Sequence, residues 1–385
     1  MGGLRTAEAL RRTGFQGDIT LLGEETEPPY NRPPLSKEFL QNPETKIHFN
    51  LNHETLQSSL LLGVKAITSN LRDSTVTCDN NETYSFDYLV AATGLRSRSL
   101  QFPNNPQGQR FSLRTMNDAE KLRAAIAPGK VVVILGAGFI GCEMAASLTK
   151  LGCKVHVIAP EAIPLALVLG DEFARVIQKN HENHGVIFHM GMSVTNLLGD
   201  STVTGVELSD GSTLDTDIFI EAVGSLTNVE WLRDNDLDLS NGLLVDTGLH
   251  ALTSKGALAN VFAVGDIACF PYVERDLPAR RIEHWNIPIE MAKRVAKDIS
   301  YQESVDVADF DPQSAFRPLA SFWSDQFDMH ILSYGELHLA NSSRLLEGDF
   351  DNEFIVGYYR DEELVGVAGL GMRGALNQYR TEISI

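Results

Sequence analysis

Gly136, Gly138 and Gly141 stand at the G-x-G-x-x-G spacing directly behind an apolar, β-branched run, Val131-Val-Val-Ile-Leu135. Glycines at this spacing after a strand have a chemical use. Gly136 lets the chain turn sharply, and Gly138 lets backbone approach a pyrophosphate. Gly141 lets the following helix pack close to the sheet with its first N–H groups facing phosphate oxygens. Phe139 and Ile140 sit in the same turn, and Glu143 lies just inside the helix. Other residues with chemical potential are Lys37, which ends the proline-rich loop Pro28-Pro-Tyr-Asn-Arg-Pro-Pro-Leu-Ser-Lys37, and the pair His181 and His184. Alone, Lys37 reads as a solvated lysine. Two histidines three apart on a helix, without a third ligand, read as a solvated face, so no metal site is expected.

The elements that position these residues follow from patterning. After the glycine unit a helix is predicted to about Leu151, then a strand over Val155 to Ile158, completing strand–turn–helix–strand. Gly2-Gly3 opens a helix-like segment, followed by Asp18-Ile-Thr-Leu-Leu-Gly23, which reads as a buried strand ending in Glu24. Further strands are predicted over Tyr88–Ala92, Asp217–Val223 and Val261–Val264. Each ends in a turn, at Ala92-Thr93-Gly94, Gly224 and Gly265-Asp266 respectively. Strands alternating with helices predict parallel sheets, with ligands at the carboxyl ends of the strands. From about Asp311 the pattern turns strand-rich, with a turn at Arg360-Asp-Glu-Glu363. The predicted fold is α/β: two Rossmann-like dinucleotide-binding domains and a C-terminal α+β domain.

Composition narrows the class. The chain has 385 residues, 43% hydrophobic and 22% charged, enough for two or three domains with sizeable cores. A net charge of −19 weighs against nucleic-acid binding. No apolar stretch is long enough to span a bilayer, and the first residues lack the order of a signal peptide. Cys78, Cys142, Cys153 and Cys269 show no CxxC spacing, which argues against a zinc site or a disulfide framework. A reducing, cytoplasmic setting is expected.

The order of these motifs, with AVGD at 263–266, EHW at 283–285 and FWSDQFD at 322–328, resembles the flavin-dependent pyridine-nucleotide oxidoreductases. The likeness is to the NADH-dependent ferredoxin, rubredoxin and putidaredoxin reductases; apoptosis-inducing-factor-like flavoproteins share the layout. It runs from Gly2 to about Gly371.

The resemblance implies an FAD domain in two pieces, 1–115 and 245–310, an NAD(P) domain over 116–244, and a C-terminal reductase domain over 311–385. It implies FAD contacts at Gly2, Gly3, Arg32, Ala92, Thr93, Gly94, Gly224 and Gly265. Arg32 could instead shape its loop together with Tyr30. Glu24 would accept from the adenosine ribose hydroxyls, Ile67 would meet adenine through its backbone, and Arg114 would contact FAD. Asp266 would accept from the ribityl chain, with a helix beginning beside the pyrophosphate. Glu283, His284, Trp285 and Trp323 fall on flavin-side motifs, although tryptophans can equally be core or interface aromatics. Lys37 would lie at the flavin's reactive edge and Glu143 at the nicotinamide end, making these two the catalytic candidates.

The implied activity is hydride transfer from NADH to FAD and single-electron delivery to a [2Fe-2S] ferredoxin or a rubredoxin that serves an oxygenase, by a chain expected to be a monomer or weak homodimer. Two alternatives stand beside it. One is a flavin redox sensor of the apoptosis-inducing-factor type. The other is a disulfide or peroxide reductase, against which residues 24 to 60 contain no cysteine.

Two departures from the family pattern set further expectations. The first strand and leading glycines of the FAD fingerprint are absent, and the expectation is that the active protein starts upstream. At the end of the second strand of the glycine unit stands Ala159, where an acid usually holds the ribose 2′-hydroxyl; Glu161, two residues on, could take over. No Lys or Arg lies between Ala159 and Leu169, so NADH is favoured over NADPH.

Overall fold

The computed structural model describes residues 1–51, 56–272 and 277–383. At its centre is a five-stranded parallel sheet in which Val131–Leu135 lies between Lys154–Ala159 and Ile218–Glu221. Ile187–Met190 and Arg110–Ser112 form its edges. Such strands read as unbroken apolar runs because both faces are covered. The two-residue alternation of side chains assigns the faces. Val132 and Ile134 pack with Met144 and Leu148 of the helix Phe139–Lys150. Val133 and Leu135 pack instead with Val194, Leu197 and Val206 of a three-stranded antiparallel sheet.

On either side of this unit in sequence, residues 9–91 and 229–320 contribute to one shared core. Leu10, Val76 and Ala91 meet Trp231, Phe262, Met291 and Phe316 there. In sequence, the central sheet therefore falls between two stretches that share one core. The strand pairing shifts the edges of the expected division. Arg110–Ser112 pairs with Ile218–Glu221 in the central sheet, while Val229, Trp231, Leu232 and Leu243 pack in the flanking core.

The helix Gly2–Thr13 and the strand Thr20–Gly23 form as predicted, but the strand is not buried. Thr20 is exposed and the other three residues are half-buried, because among the described residues the strand's ladder is to Ser59–Leu62 alone. A second correction concerns the residues after Asp266. No helix starts there: Ala268–Tyr272 is a strand, and Cys269 lies on it. The helix that approaches Gly265 is Ile287–Gln302, whose Pro288 lies 3.5 Å from where a Gly265 Cβ would stand.

The C-terminal unit is a five-stranded antiparallel sheet in the order Ser321–Gln326, Met329–Gly335, Glu363–Leu370, Phe354–Arg360, Ser342–Gly348. Asp361 and Glu362 both take positive φ (50° and 70°), the geometry of a two-residue hairpin turn. One face, with Ile331, Phe354 and Val356, packs on Leu169, Phe173 and Ile177 of the central unit. Among the described residues, no helix is long and apolar enough to cross a membrane.

A half-buried charge cluster lies at the edge of the flanking core. His250 lies between Asp246 (Nδ1 to Oδ1, 3.2 Å) and Asp298 (Nε2 to Oδ2, 3.6 Å), and Arg294 also reaches Asp298 at 3.3 Å. Burial opposes charge on the ring, but the hydrogen bonds to the two carboxylates outweigh it and raise the His250 pKa to about 9. The folded value exceeds the unfolded one, so this stabilisation is whole below pH about 6.5 and is lost as pH rises through about 9. The urea midpoint of the protein should therefore fall across this window, and that of a His250→Gln variant should fall less. Parallel profiles would show that His250 carries no such linkage.

Candidate functional site

The loop Pro33–Ser36 is a single 3₁₀ turn with proline at its start, where fixed φ and a missing N–H cost nothing. Lys37 is the joint between this turn and the short helix Glu38–Gln41. That joint aims two side chains at one carboxylate on the glycine-loop helix. Lys37 Nζ lies 2.8 Å from Glu143 Oε2, and the Ser36 hydroxyl donates to the same oxygen at 2.5 Å. One turn further along the helix, Ser147 Oγ donates to the Ser36 carbonyl at 2.7 Å, and Gln41 Nε2 donates to Ser147 Oγ at 3.1 Å. Residues four apart on a helix share a face, so the loop is held at two levels.

The other carboxylate oxygen faces the C-terminal sheet. Ser324 Oγ donates to Glu143 Oε1 at 2.6 Å. Gln326, two residues on and on the same face of the strand, contacts Ser324 at 3.0 Å and His181 Nε2 at 2.8 Å. Lys37 and Glu143 have side chains only 9% and 4% exposed, so this is a buried ion pair. Such a pair persists only with its remaining hydrogen-bonding capacity met, which the two serines do here. Three separate stretches of chain meet at Glu143.

The glycine turn is built as its spacing predicts. A Cβ on Gly136 (φ +112°) would stand 2.3 Å from the Ala222 carbonyl oxygen, and one on Gly141 would stand 2.1 Å from the Gly136 oxygen. At Gly138 a Cβ would meet no protein atom within 4 Å. The first and third glycines thus serve packing, and the second leaves open the face from which a phosphate would approach a helix N-terminus. This cradle fits a dinucleotide pyrophosphate. Phe139 begins the helix and packs on Phe322 (centroids 4.9 Å apart), while Ile140 is exposed. Ala159 is fully buried at the end of its strand. Glu161 accepts the Gly191 N–H through its carbonyl, and its side chain is half-buried.

A second polar cluster lies at the ends of Leu89–Ala91 and Gly256–Ala263. Arg114 Nη2 pairs with Asp266 Oδ2 at 3.0 Å, and the Arg114 carbonyl accepts from Arg32 Nη1 at 2.6 Å. Gly94 (φ +59°) follows Ala92 and Thr93, and Thr93 Oγ1 donates to the Asn228 carbonyl at 2.6 Å. Arg32 also contacts Glu25, which Tyr30 reaches as well. Glu24 pairs with Lys65 at 2.6 Å on the surface, and Ile67 is exposed nearby on Ala66–Asn70. Gly2 starts its helix close against Val264, where a Cβ would lie 3.1 Å from the valine side chain. Gly3 follows in the same helix.

Glu283 pairs with Arg281 at 2.6 Å and accepts weakly from Ser225, the residue after Gly224, at 3.4 Å. His284 packs edge-on to Phe322; burial lowers its pKa to about 4, so it is neutral near pH 7. Trp285 is half-buried and Trp323 is 40% exposed on the first strand of the C-terminal sheet. That exposure sets Trp323 apart from a core tryptophan.

The reading of His181 and His184 as one solvated face is corrected. His181 is fully buried, and burial lowers its pKa to about 4; His184 is the exposed one, stacked on Phe327 at 4.0 Å. The signal was present, because Phe173, Ile177 and His181 repeat every four residues on the apolar face of Asp171–Asn183. Ser36, Ser324 and Gln326 were also missed as site residues, although all three lie within recognised motifs.

Residues 1–292 match the family described as Pyridine nucleotide-disulphide oxidoreductase, and residues 321–384 match Reductase C-terminal. The chain belongs to the pyridine nucleotide-disulphide oxidoreductases. Among its relatives is the ferredoxin–NAD(+) reductase component of the p-cumate 2,3-dioxygenase system of Pseudomonas putida, 31% identical over 95% of this chain and 87% of its own length. The corresponding component of the anthranilate 1,2-dioxygenase system of Burkholderia cepacia is 30% identical over 90% and 82%. A ferredoxin reductase structure from Rhodopseudomonas palustris superposes with a TM-score of 0.90 at 28% identity, covering 100% of this chain and 93% of that one.

The expected two-nucleotide fold and oxidoreductase class are therefore those of the family. Its disulphide chemistry is another matter. All four cysteines are free and buried, and burial pushes the Cys142 thiol far above its ordinary range. A thiol so held is neither exposed nor ionised, and it makes a poor nucleophile.

Proposed function

We propose that this chain is an FAD-dependent NADH:ferredoxin reductase, passing electrons from NADH to a [2Fe-2S] ferredoxin or a rubredoxin that serves an oxygenase. The observation that carries this reading is the buried Lys37–Glu143 pair, which joins the proline loop to the helix of the glycine cradle. The absence of an exposed thiol leaves that pair without a disulfide to serve. The relatives' names point the same way.

When bound, FAD supplies the acceptance of a hydride and the release of single electrons that no side chain offers. The chain's own residues bind and tune. Gly136, Gly138 and Gly141 cradle the nicotinamide dinucleotide, with Phe139, Ile140 and Glu161 around it. Gly2, Gly3, Glu24, Arg32, Ile67, Ala92, Thr93, Gly94, Arg114, Gly224, Gly265 and Asp266 hold FAD, with Glu283, His284, Trp285 and Trp323 on its flavin side. Arg114 is restrained by Asp266, which limits the entropy lost on meeting a phosphate. Lys37 places a buried positive charge at the flavin edge, where it offsets the negative charge gained on reduction. Glu143 holds that ammonium in place. The FAD-binding unit comprises 1–115 and 245–310 apart from the edge strand Arg110–Ser112, and the nicotinamide unit occupies most of 116–244. Four free thiols fit a reducing compartment, the cytoplasm.

With NADH and cytochrome c, the flavin-loaded protein should reduce cytochrome c rapidly only after a ferredoxin is added. The specificity constant kcat/KM should be larger for NADH than for NADPH, because no Lys or Arg lies between Ala159 and Leu169 to pair with a 2′-phosphate. A preference for NADPH would overturn the cofactor assignment. Slow turnover whatever ferredoxin is added, with a persistent long-wavelength charge-transfer band, would replace the reductase reading with that of a redox sensor.

A further inference from the structure

We infer that Ser324, Gln326 and His181 form a one-way chain of hydrogen-bond donors that holds Glu143 as an acceptor beneath Lys37, making the C-terminal sheet a positioning element for the reacting centre. This rests on the reading of Lys37 as the flavin-edge lysine.

The direction of the chain follows from its far end. His181 Nδ1 is buried and has no hydrogen-bond partner among the described residues, and the ring sits between Phe188 and Phe327. A proton on Nδ1 would be a buried donor without an acceptor, which costs more than an unpaired lone pair on a ring nitrogen. The favoured neutral tautomer therefore carries its proton on Nε2 and donates to Gln326 Oε1, 2.8 Å away. That contact orients the Gln326 amide, so its Nε2 donates to Ser324 Oγ at 3.0 Å. The hydroxyl of Ser324 then has its own proton to place, and Glu143 Oε1 lies at 2.6 Å. Every bond in the series points toward Glu143. Ser324 and Gln326 are both fully buried, so water does not compete for these positions.

Glu143 consequently receives three donors: Ser36 and Lys37 on Oε2, and Ser324 on Oε1. The arrangement presents donors to both oxygens of the carboxylate. It also fixes the plane of that carboxylate from both sides, and hence the place of the Lys37 ammonium. Removing the Ser324 hydroxyl leaves Oε1 unsolvated and free to turn toward Lys37. The lysine's charge is then more fully compensated and less available to a reduced flavin.

The test has an arm that needs no turnover. In ¹⁵N-histidine-labelled protein, with a His181→Asn variant to identify the signal, His181 should show a protonated Nε2 and a bare Nδ1. The opposite tautomer would overturn the proposal even if the Ser324 and Gln326 variants failed to fold. In stopped-flow experiments on flavin-loaded protein, Ser324→Ala and Gln326→Leu should each slow flavin reduction by NADH by about tenfold, the scale of one hydrogen bond to a charged group. The Kd for NADH should be unchanged and the flavin midpoint potential more negative, and Ser324→Thr should recover most of the rate. Folded variants with wild-type rate and potential would overturn the chain. Lys37→Met separates the two readings. If it slows reduction and Ser324→Ala does not, only the chain fails; if Lys37→Met has no effect, the flavin-edge assignment fails and takes the chain with it.

Discussion

Replacing Lys37 with methionine is expected to slow reduction of bound flavin by NADH by about 10²–10³-fold, the usual loss when one preorganised charge or donor is removed from a developing negative charge. The same change should destabilise the protein by about 3–5 kcal/mol, because Glu143 would be left as a buried, uncompensated carboxylate. No discount for solvent applies, since the two side chains are 9% and 4% exposed. Ser36 and Ser324 would still donate to Glu143, which favours the lower end of that range. The two losses come from different physics and can be separated. In Lys37→Met/Glu143→Leu part of the stability should return, because an apolar pair replaces a desolvated ion pair although the buried Ser36 and Ser324 hydroxyls lose their acceptor, while the rate should stay low. Single-turnover reduction and urea melts read the two quantities independently. A Lys37→Met protein with wild-type reduction rate would remove Lys37 from the chemistry, whatever its melting behaviour.

The second large effect divides two glycines of one motif. Gly141→Ala should damage the fold, because the new Cβ would sit 2.1 Å from the Gly136 carbonyl oxygen and push the helix off its strand. Overpacking of this kind costs about 1–3 kcal/mol and can exceed it where backbone must shift. Gly138→Ala should leave the melting temperature unchanged. Its φ of −79° and ψ of −174° suit any residue, and its Cβ would meet no protein atom within 4 Å. The added methyl would instead occupy the space a pyrophosphate needs, raising the Kd for NADH by at least about tenfold. Thermal melts and NADH titrations of both variants check the division. Equal nucleotide affinity in Gly138→Ala and wild type would show that the open face of the cradle is not where the dinucleotide binds.

Much of the fold was legible because its signals are local. An apolar run followed by G-x-G-x-x-G specifies strand, turn and helix within a few residues, and Val131–Leu135 with Phe139–Lys150 came out as read. The hairpin at Asp361-Glu362 was legible for the same reason. Errors appeared where a residue's state depends on distant neighbours. Thr20–Gly23 looks like a buried strand, yet its burial depends on what pairs with it, and here it has a ladder on one side. Arg110–Ser112 reads as the end of the first segment, but its partner is Ile218–Glu221, more than a hundred residues away.

The same distinction runs through the reacting centre. The sequence by itself determined the two-nucleotide architecture, the glycine cradle, the lysine at the end of a proline-stiffened loop, and the lack of a thiol near that loop. These are matters of residue type and short spacing. Only the tertiary structure decided that Lys37 and Glu143 meet at 2.8 Å, that Ser324 closes on the other carboxylate oxygen, and that His181 lies buried behind Gln326 rather than in solvent. Side-chain periodicity indicates which face of an element turns inward. It does not indicate which other element lies against that face, and a buried charge takes its meaning from that neighbour.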